Sequence, residues 1–298
     1  MALLSNVLTQ VFITLIAVTG VYVLTGLTGM FSLGQAAFMA IGAYGSGLLV
    51  VRAGLPIPIA MALAVLLAIV IGYLIGYPVV RLRRDYISLI TLGFGEAIAA
   101  LLNRMTTLTG GASGLIGIPR RVTLPIAAIS AIVAIILVAF FKTSKYGRQC
   151  IALRGDELAS KAMGINVSKV KMTAFLLSVA LTAYSGCLYA FYMSYVDPST
   201  FGWKKSADWV IMVFFGGVNS LTGSTLGAFI LSGLPQMLRG LKDYRYVIYA
   251  ILVLIIINFR PSGLLGEWEL TPKNIKAIPS DIRNGVMKLA KKFKKEEK

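Results

Sequence analysis

Apolar stretches close to 20 residues long recur from Val7 to Asn258, separated by short breaks that carry charge, proline or glycine. A helix needs about 20 such residues to cross the hydrocarbon core of a bilayer. Backbone N–H and C=O groups have no water to bond there, so a spanning chain must satisfy them internally, as helices and closed barrels do. The apolar runs fall at 7–25, 30–51, 57–78, 86–103, 122–141, 172–194, 206–218, 224–238 and 246–259. The last three are short or broken by glycine and read equally as tilted spans, half-helices or a re-entrant pair. The expected fold is an all-α integral membrane protein, a polytopic bundle of about eight or nine spans with broken or re-entrant helices. Only 14% of residues are charged, against about a quarter in soluble domains, which leaves no room for a large soluble domain.

A net charge of +17 would suggest nucleic acid in a soluble protein. Here the basic residues lie between or after apolar runs, so membrane topology accounts for them and a nucleic-acid role does not. Arg81 to Arg84, the loop from Lys142 to Lys171 and the tail after Phe259 hold 20 of the 29 basic residues. The positive-inside tendency puts all three in the cytoplasm. The loops near Arg52, at 104–121 and at 195–205 then face outward. Met1 to Asn6 carries no basic residue and no cleavage site comes after it, so residues 7–25 are expected to remain as the first span. The chain has two cysteines, Cys150 and Cys187, and no histidine. Two unpaired thiols are expected, and no metal site.

Thirty glycines favour close helix approach in lipid. Gly72 to Gly76 and Gly223 to Gly227 have the spacing of four that permits it. The run from Gly26 to Gln35 is richer, placing Thr28, Ser32 and Gln35 at the mouth of an apolar run. It reads either as an interfacial loop or as a broken helix lining a path. The glycine-rich loop Leu108 to Pro119 lacks the Gly-Lys-Ser/Thr of a nucleotide-binding loop, so no nucleotide cofactor is expected in this chain.

The most informative polar stretch runs from Lys142 to Lys171. Asp156 can cap a short helix, and Glu157 at its start suits the helix dipole. Leu158, Ala162 and Met163 share an apolar edge. Gly164 suits the left-handed residue that ends a helix, and Asn166 or Ser168 can cap the next. One short amphipathic helix is expected here, held by a partner surface or packed on its own loops and lipid headgroups.

At this loop the chain resembles the permease subunits of branched-chain amino acid ABC importers, in their LivM-like branch. The resemblance runs from about residue 20 to residue 266. It is carried by Gly29–Phe38 with Ile41–Tyr44, by Arg81–Tyr86 with Thr91–Glu96, and by Leu108–Gly111 with Gly117–Pro119. Gly147-Arg148, Ala162–Asn166, Gly216-Gly217 and Phe259–Gly266 continue it. The resemblance implies a permease domain over residues 1–266, then a basic cytoplasmic tail over 267–298. It implies a second, LivH-like permease, two cytoplasmic ATPases that bind the ATP, and an extracytoplasmic substrate-binding protein, all at the inner or plasma membrane. Arg154, Gly155, Asp156, Glu157, Ala162, Met163 and Gly164 would then form the coupling helix that docks on an ATPase. Many family members carry His in place of Gln35 and Gly in place of Arg84. Related permeases are similar to urea and amide importers, which leaves the solute open between branched-chain amino acids and other small amides or amino acids.

Glu96 is the one acid well inside an expected span, which marks it for function. It could meet a substrate ammonium, pair with a cation of the second permease, or hold a structural hydrogen bond. Ser32, Gln35 and Tyr44 either line the same path or bond between helices. In the tail, Ile282, Val286, Leu289 and Phe293 share a helical face beside five lysines, the pattern of a basic helix on anionic lipid or of a disordered basic tail. Deleting 280–298 is expected to leave assembly intact. A stand-alone secondary transporter and a membrane enzyme are the competing classes. The first would need broken, inverted repeats, and the second a paired acid, histidine or metal cluster, which the sequence lacks.

Overall fold

A computed structural model describes residues 2–237, 244–260 and 262–270 of the chain. The expected tail helix over 282–293 lies outside them. Helix α1 covers Ala2–Tyr22 and widens into a π-helical turn at Val23–Thr28. Gly29, at φ +69°, ends that turn in the left-handed region, where glycine carries no Cβ penalty. A non-helical stretch then leads to α2, Gln35–Val51, so the second apolar run is broken at its start. Next in the chain are helices α3 (Ile57–Val79), α4 (Arg84–Arg104), the short α5 (Thr106–Thr109) and α6 (Leu124–Thr143). Two helices then stand where the sequence suggests one, α7 at Lys145–Gly155 and α8 at Glu157–Ala162. The remaining helices are α9 (Val167–Met193), α10 (Trp203–Gly216), α11 (Leu221–Met237) and α12 (Tyr244–Phe259).

Among the described residues, five helices are long and apolar enough to cross a membrane, Leu4–Thr28, Ile57–Val79, Tyr86–Arg104, Leu124–Thr143 and Val167–Met193. Shorter α2, α10, α11 and α12 complete the bundle among the described residues. At 14 residues and about 1.5 Å per residue, α10 reaches only part-way across. The segment before it is drawn into the protein, with Phe201 buried edge-on between Tyr44 and Tyr189.

The basic segments gather at one end. There Arg84 reaches the carbonyls of Leu153 and Arg154, and Lys142 binds Glu269 and the hydroxyl of Tyr22. Residues 262–270 close the same end, where Leu264 and Leu265 donate to the carbonyls of Phe215 and Gly216. The expected outer loops meet at the opposite end. Leu115-Ile116 pairs antiparallel with Tyr195-Val196, and Arg120 reaches Asn6 of α1. The region that hydropathy leaves unsettled therefore resolves into α10 running toward the basic end, α11 running away from it and α12 returning.

Helices α2 and α9 form the centre, flanked by α1 and α3. A Cβ on Gly42 would overlap the carbonyl of Ala183, and one on Gly186 that of Met39. On α3, Ala60, Ala64, Ala68, Gly72 and Gly76 form one buried stripe at the spacing of four. Its glycines meet Val179 and Phe175 of α9. Gly223 and Gly227 pack against Gly216 in the same way. Lipid offers no hydrophobic gain for bringing helices together, so close van der Waals contact across small residues takes that role.

Candidate functional site

At the basic end, three polar residues set the loop geometry. Ser144 caps α7 by accepting from Gly147 N–H at 3.2 Å. Asp156 Oδ1 accepts from Leu158 N–H at 2.8 Å and Ala159 N–H at 3.1 Å, which starts α8. Asn166 Oδ1 accepts from Lys169 N–H at 3.1 Å and starts α9. Gly164, at φ +80°, makes the turn between them. Leu158 and Met163 stand 80% and 83% exposed, and Ala162 is exposed beside them. The expected apolar edge therefore lies bare at the tip of the loop. A cleft of about 1000 Å³ is lined by this loop on one side and by Arg81, Arg83 and Arg84 on the other.

The loop is tied to the bundle by charge-assisted bonds, which are about twice as strong as neutral ones. Lys171 binds Glu157 at 2.8 Å and holds α8 against α9. The Arg84 guanidinium grips the end of α7 through two carbonyls. Arg154 Nη1 donates to the carbonyl of Gly26 at 2.6 Å, inside the π-helical turn. A direct bond thus links α7, which leads straight into α8, to the break between α1 and α2. Cys150 lies buried on α7, where burial pushes its thiol up to about 12, so it stays protonated at neutral pH. Neither Cys150 nor Cys187 is paired.

The break itself is a junction of two helix starts. Ala36 N–H, at the start of α2, donates to Ser206 Oγ of α10 at 2.9 Å. Leu33 N–H donates to Thr91 Oγ1 of α4 at 3.1 Å. Gln35 bonds Ser32 Oγ at 3.3 Å and accepts from Thr182 of α9 at 3.2 Å. Trp203 N–H, at the start of α10, donates to Glu96 Oε1 at 3.1 Å. A carboxylate at a helix N-terminus meets unpaired N–H groups and the positive end of the dipole. Glu96 itself is exposed on the face of α4.

Of the residues expected on a path, Ser32 and Gln35 come together at this junction, both without open surface. Tyr44 sits farther along α2, where its hydroxyl donates to the carbonyl of Val196 at 3.0 Å. Glu96 borders the junction from outside.

Residues 3–257 match the family described as the branched-chain amino acid transport system permease component. The chain belongs to this permease family. It is 30% identical to the high-affinity branched-chain amino acid transport system permease protein LivM of Salmonella typhimurium, over 87% of this chain and 69% of that one. A probable LivM permease of Methanocaldococcus jannaschii is 25% identical over 74% of this chain and 71% of its own. The LivH permease of Salmonella typhimurium is 23% identical over 63% of this chain and 61% of its own. No solved structure matches. As a member of this permease family the chain is a multi-pass membrane transport component rather than a catalytic enzyme.

For this permease, sequence reasoning misses the fastening residues. In sequence Arg84 stands out as a topology marker and as a departure from the family's glycine, but nothing shows its bonds to α7, and the bonds of Thr91, Thr182 and Ser206 go unseen because their partners lie far away in the chain. Helix α7 escapes notice because its mixture of lysine, arginine and small residues reads as a loop.

Proposed function

We propose that this permease is one membrane half of an ATP-driven importer of branched-chain amino acids, with its basic end in the cytoplasm. Two observations support the orientation. Arg81, Arg83, Arg84 and the 142–171 loop share one end, and Lys and Arg favour the cytoplasmic side. The solute class rests on the relatives, which are named as branched-chain amino acid transport permeases. A paired permease is supported by Salmonella typhimurium, in which a LivM and a LivH of the same named transport system both resemble this chain. Two ATPases and an extracytoplasmic binding protein complete the proposed assembly.

The observation that carries the reading is α8, a short helix with a bare apolar edge, which follows directly on α7, itself bonded through Arg84 and Arg154 to α4 and to the π-helical turn. An isolated helix of six residues would be marginal in water. Here caps and ion pairs hold it, and Leu158, Ala162 and Met163 are left for an ATPase groove. Closure of the ATPases pushes α8, and Arg154 passes the displacement to Gly26 and on to the junction of α2 and α10. Ser32 and Gln35 act as the hinge of that junction, and Tyr44 anchors the far end of α2. Glu96 caps α10 and faces the second permease or the solute path, since an acid on the lipid side of a span is costly.

A second reading, a stand-alone secondary transporter, is favoured by the two helix starts that meet inside the bundle. One experiment decides between the two. The complex is co-purified from its host and reconstituted in liposomes with labelled leucine, with urea as competitor. The importer reading expects uptake that needs ATP and the binding protein and that urea does not inhibit. Uptake by this chain alone, without ATP, would overturn it.

A further inference from the structure

Helix α10 carries two opposite charges that the junction does not use. Lys205 and Asp208 lie one turn apart and line a cavity of about 220 Å³ between α1, α10, α11 and α12. Among the described residues, neither side chain makes a hydrogen bond or a salt bridge. The Lys205 ammonium stands 5.8 Å from the centroid of the Tyr189 ring and feels the charge of Asp208. An ionised group within a span is costly unless it is paired; these two offset each other only electrostatically, and both line the same space. Two further groups there lack partners, the indole N–H of Trp209, which is 1% exposed, and the hydroxyl of Tyr249. Met212 and Leu231 add apolar wall.

We infer that this cavity is a binding site for a free zwitterionic α-amino acid with a small apolar side chain. The solute carboxylate would face Lys205, with the Trp209 and Tyr249 donors available to it. The solute ammonium would face Asp208, and its side chain would lie on Met212 and Leu231. A simple cation would be opposed by Lys205 and a simple anion by Asp208, so a solute bearing both charges fits best. The space is smaller than the 300–1,000 Å³ typical of drug-sized ligands, which suits a single amino acid. Lys205 also adjoins Ser206, whose hydroxyl joins α10 to α2. A solute on Lys205 therefore sits one residue from the bond that holds the two half-helices together. The inference deepens the proposed function and rests on its amino-acid reading.

The test is equilibrium binding of radiolabelled L-leucine to the full membrane complex in lipid nanodiscs, washed free of the extracytoplasmic binding protein. Saturable binding is expected. Isovalerate and isoamylamine, each with one of the two charges, should compete at least 10-fold less well than leucine. Lys205→Met and Asp208→Asn should each weaken binding at least 10-fold. The competition pattern needs no variant, so a misfolded variant leaves the test intact. Equal competition by the singly charged analogues would overturn the site, as would binding untouched by both substitutions. Absence of binding in a complex that still imports leucine with ATP would sink the site and leave the importer reading standing. Absence of ATP-driven leucine uptake would sink the importer reading itself.

Discussion

Helices α9 and α4 are nearly equal in mean hydropathy, 1.6 and 1.5 over their most apolar stretches, yet 72% of that stretch is buried in α9 and 17% in α4. Hydrophobicity therefore does not say which span is central. The difference lies in side-chain size and in short polar groups. Gly186 lets the backbone of α2 touch α9, and Thr182, Ser185 and Cys187 bond to neighbouring helices. On α4, Gly93 faces open space with nothing within 4 Å of a would-be Cβ. A bilayer accepts apolar residues on either side, so the centre is selected by how closely backbones can approach.

The largest effect that would break this contrast belongs to Gly186→Leu. Its side chain has no room beside Met39, and overpacking should cost about 3 kcal/mol. The expected result is loss of a monodisperse peak in detergent gel filtration, and a well-folded variant would contradict the packing described. The bare end of α8 should behave in the opposite way. Leu158→Asp is expected to leave the melting temperature unchanged while lowering ATPase co-purification at least 10-fold. Next comes Arg154→Gln, which removes the charge from the bond to Gly26. ATP hydrolysis by the complex should persist while leucine uptake falls about 10-fold, roughly the 1.4 kcal/mol of one charge-assisted bond. Parallel loss of both activities would argue for simple misfolding. At α4, Gly93→Ala should stabilise the helix by no more than about 1 kcal/mol, read as a small rise in melting temperature.

The smallest effect concerns Cys150 and pH. Its thiol is shifted up to about 12 by burial, so the reactive thiolate gains population only as pH rises toward that value. At pH 8 it amounts to about one molecule in ten thousand. Intact-mass analysis should find Cys150 unlabelled by maleimide at pH 8 in the folded protein and labelled after denaturation in SDS.

The spans and the basic end are legible in the sequence because both are local signals. An apolar run is read from neighbours in sequence, and the charges that mark a side sit in its loops. The cap residues Asp156, Gly164 and Asn166 are legible for the same reason. The junction is not. Gln35 meets Thr182 across 147 positions and Ala36 meets Ser206 across 170, and no periodicity encodes such pairs. Ser32 and Gln35 stand out by their polarity, while the side chains that complete the junction do not. Asp208 reads in sequence as a solvated acid near the outer end of a span, and its juxtaposition with Lys205 around one cavity does not show, because charges at the edge of an apolar run look like ordinary flanks.

The π-helical turn at Val23–Thr28 bears on gearing. A π turn holds one residue more than an α-helix needs over the same length. Tightening it to α geometry would release that residue downstream and rotate the next stretch of chain by about 100°, the angle of one α-helical step. Helix α1 could stay locked in the bundle while the Gly29–Gly34 stretch swivelled. The wide turn is a store of slack, placed where Arg154 already grips the backbone, so a small pull at the loop would emerge as a turn rather than a slide.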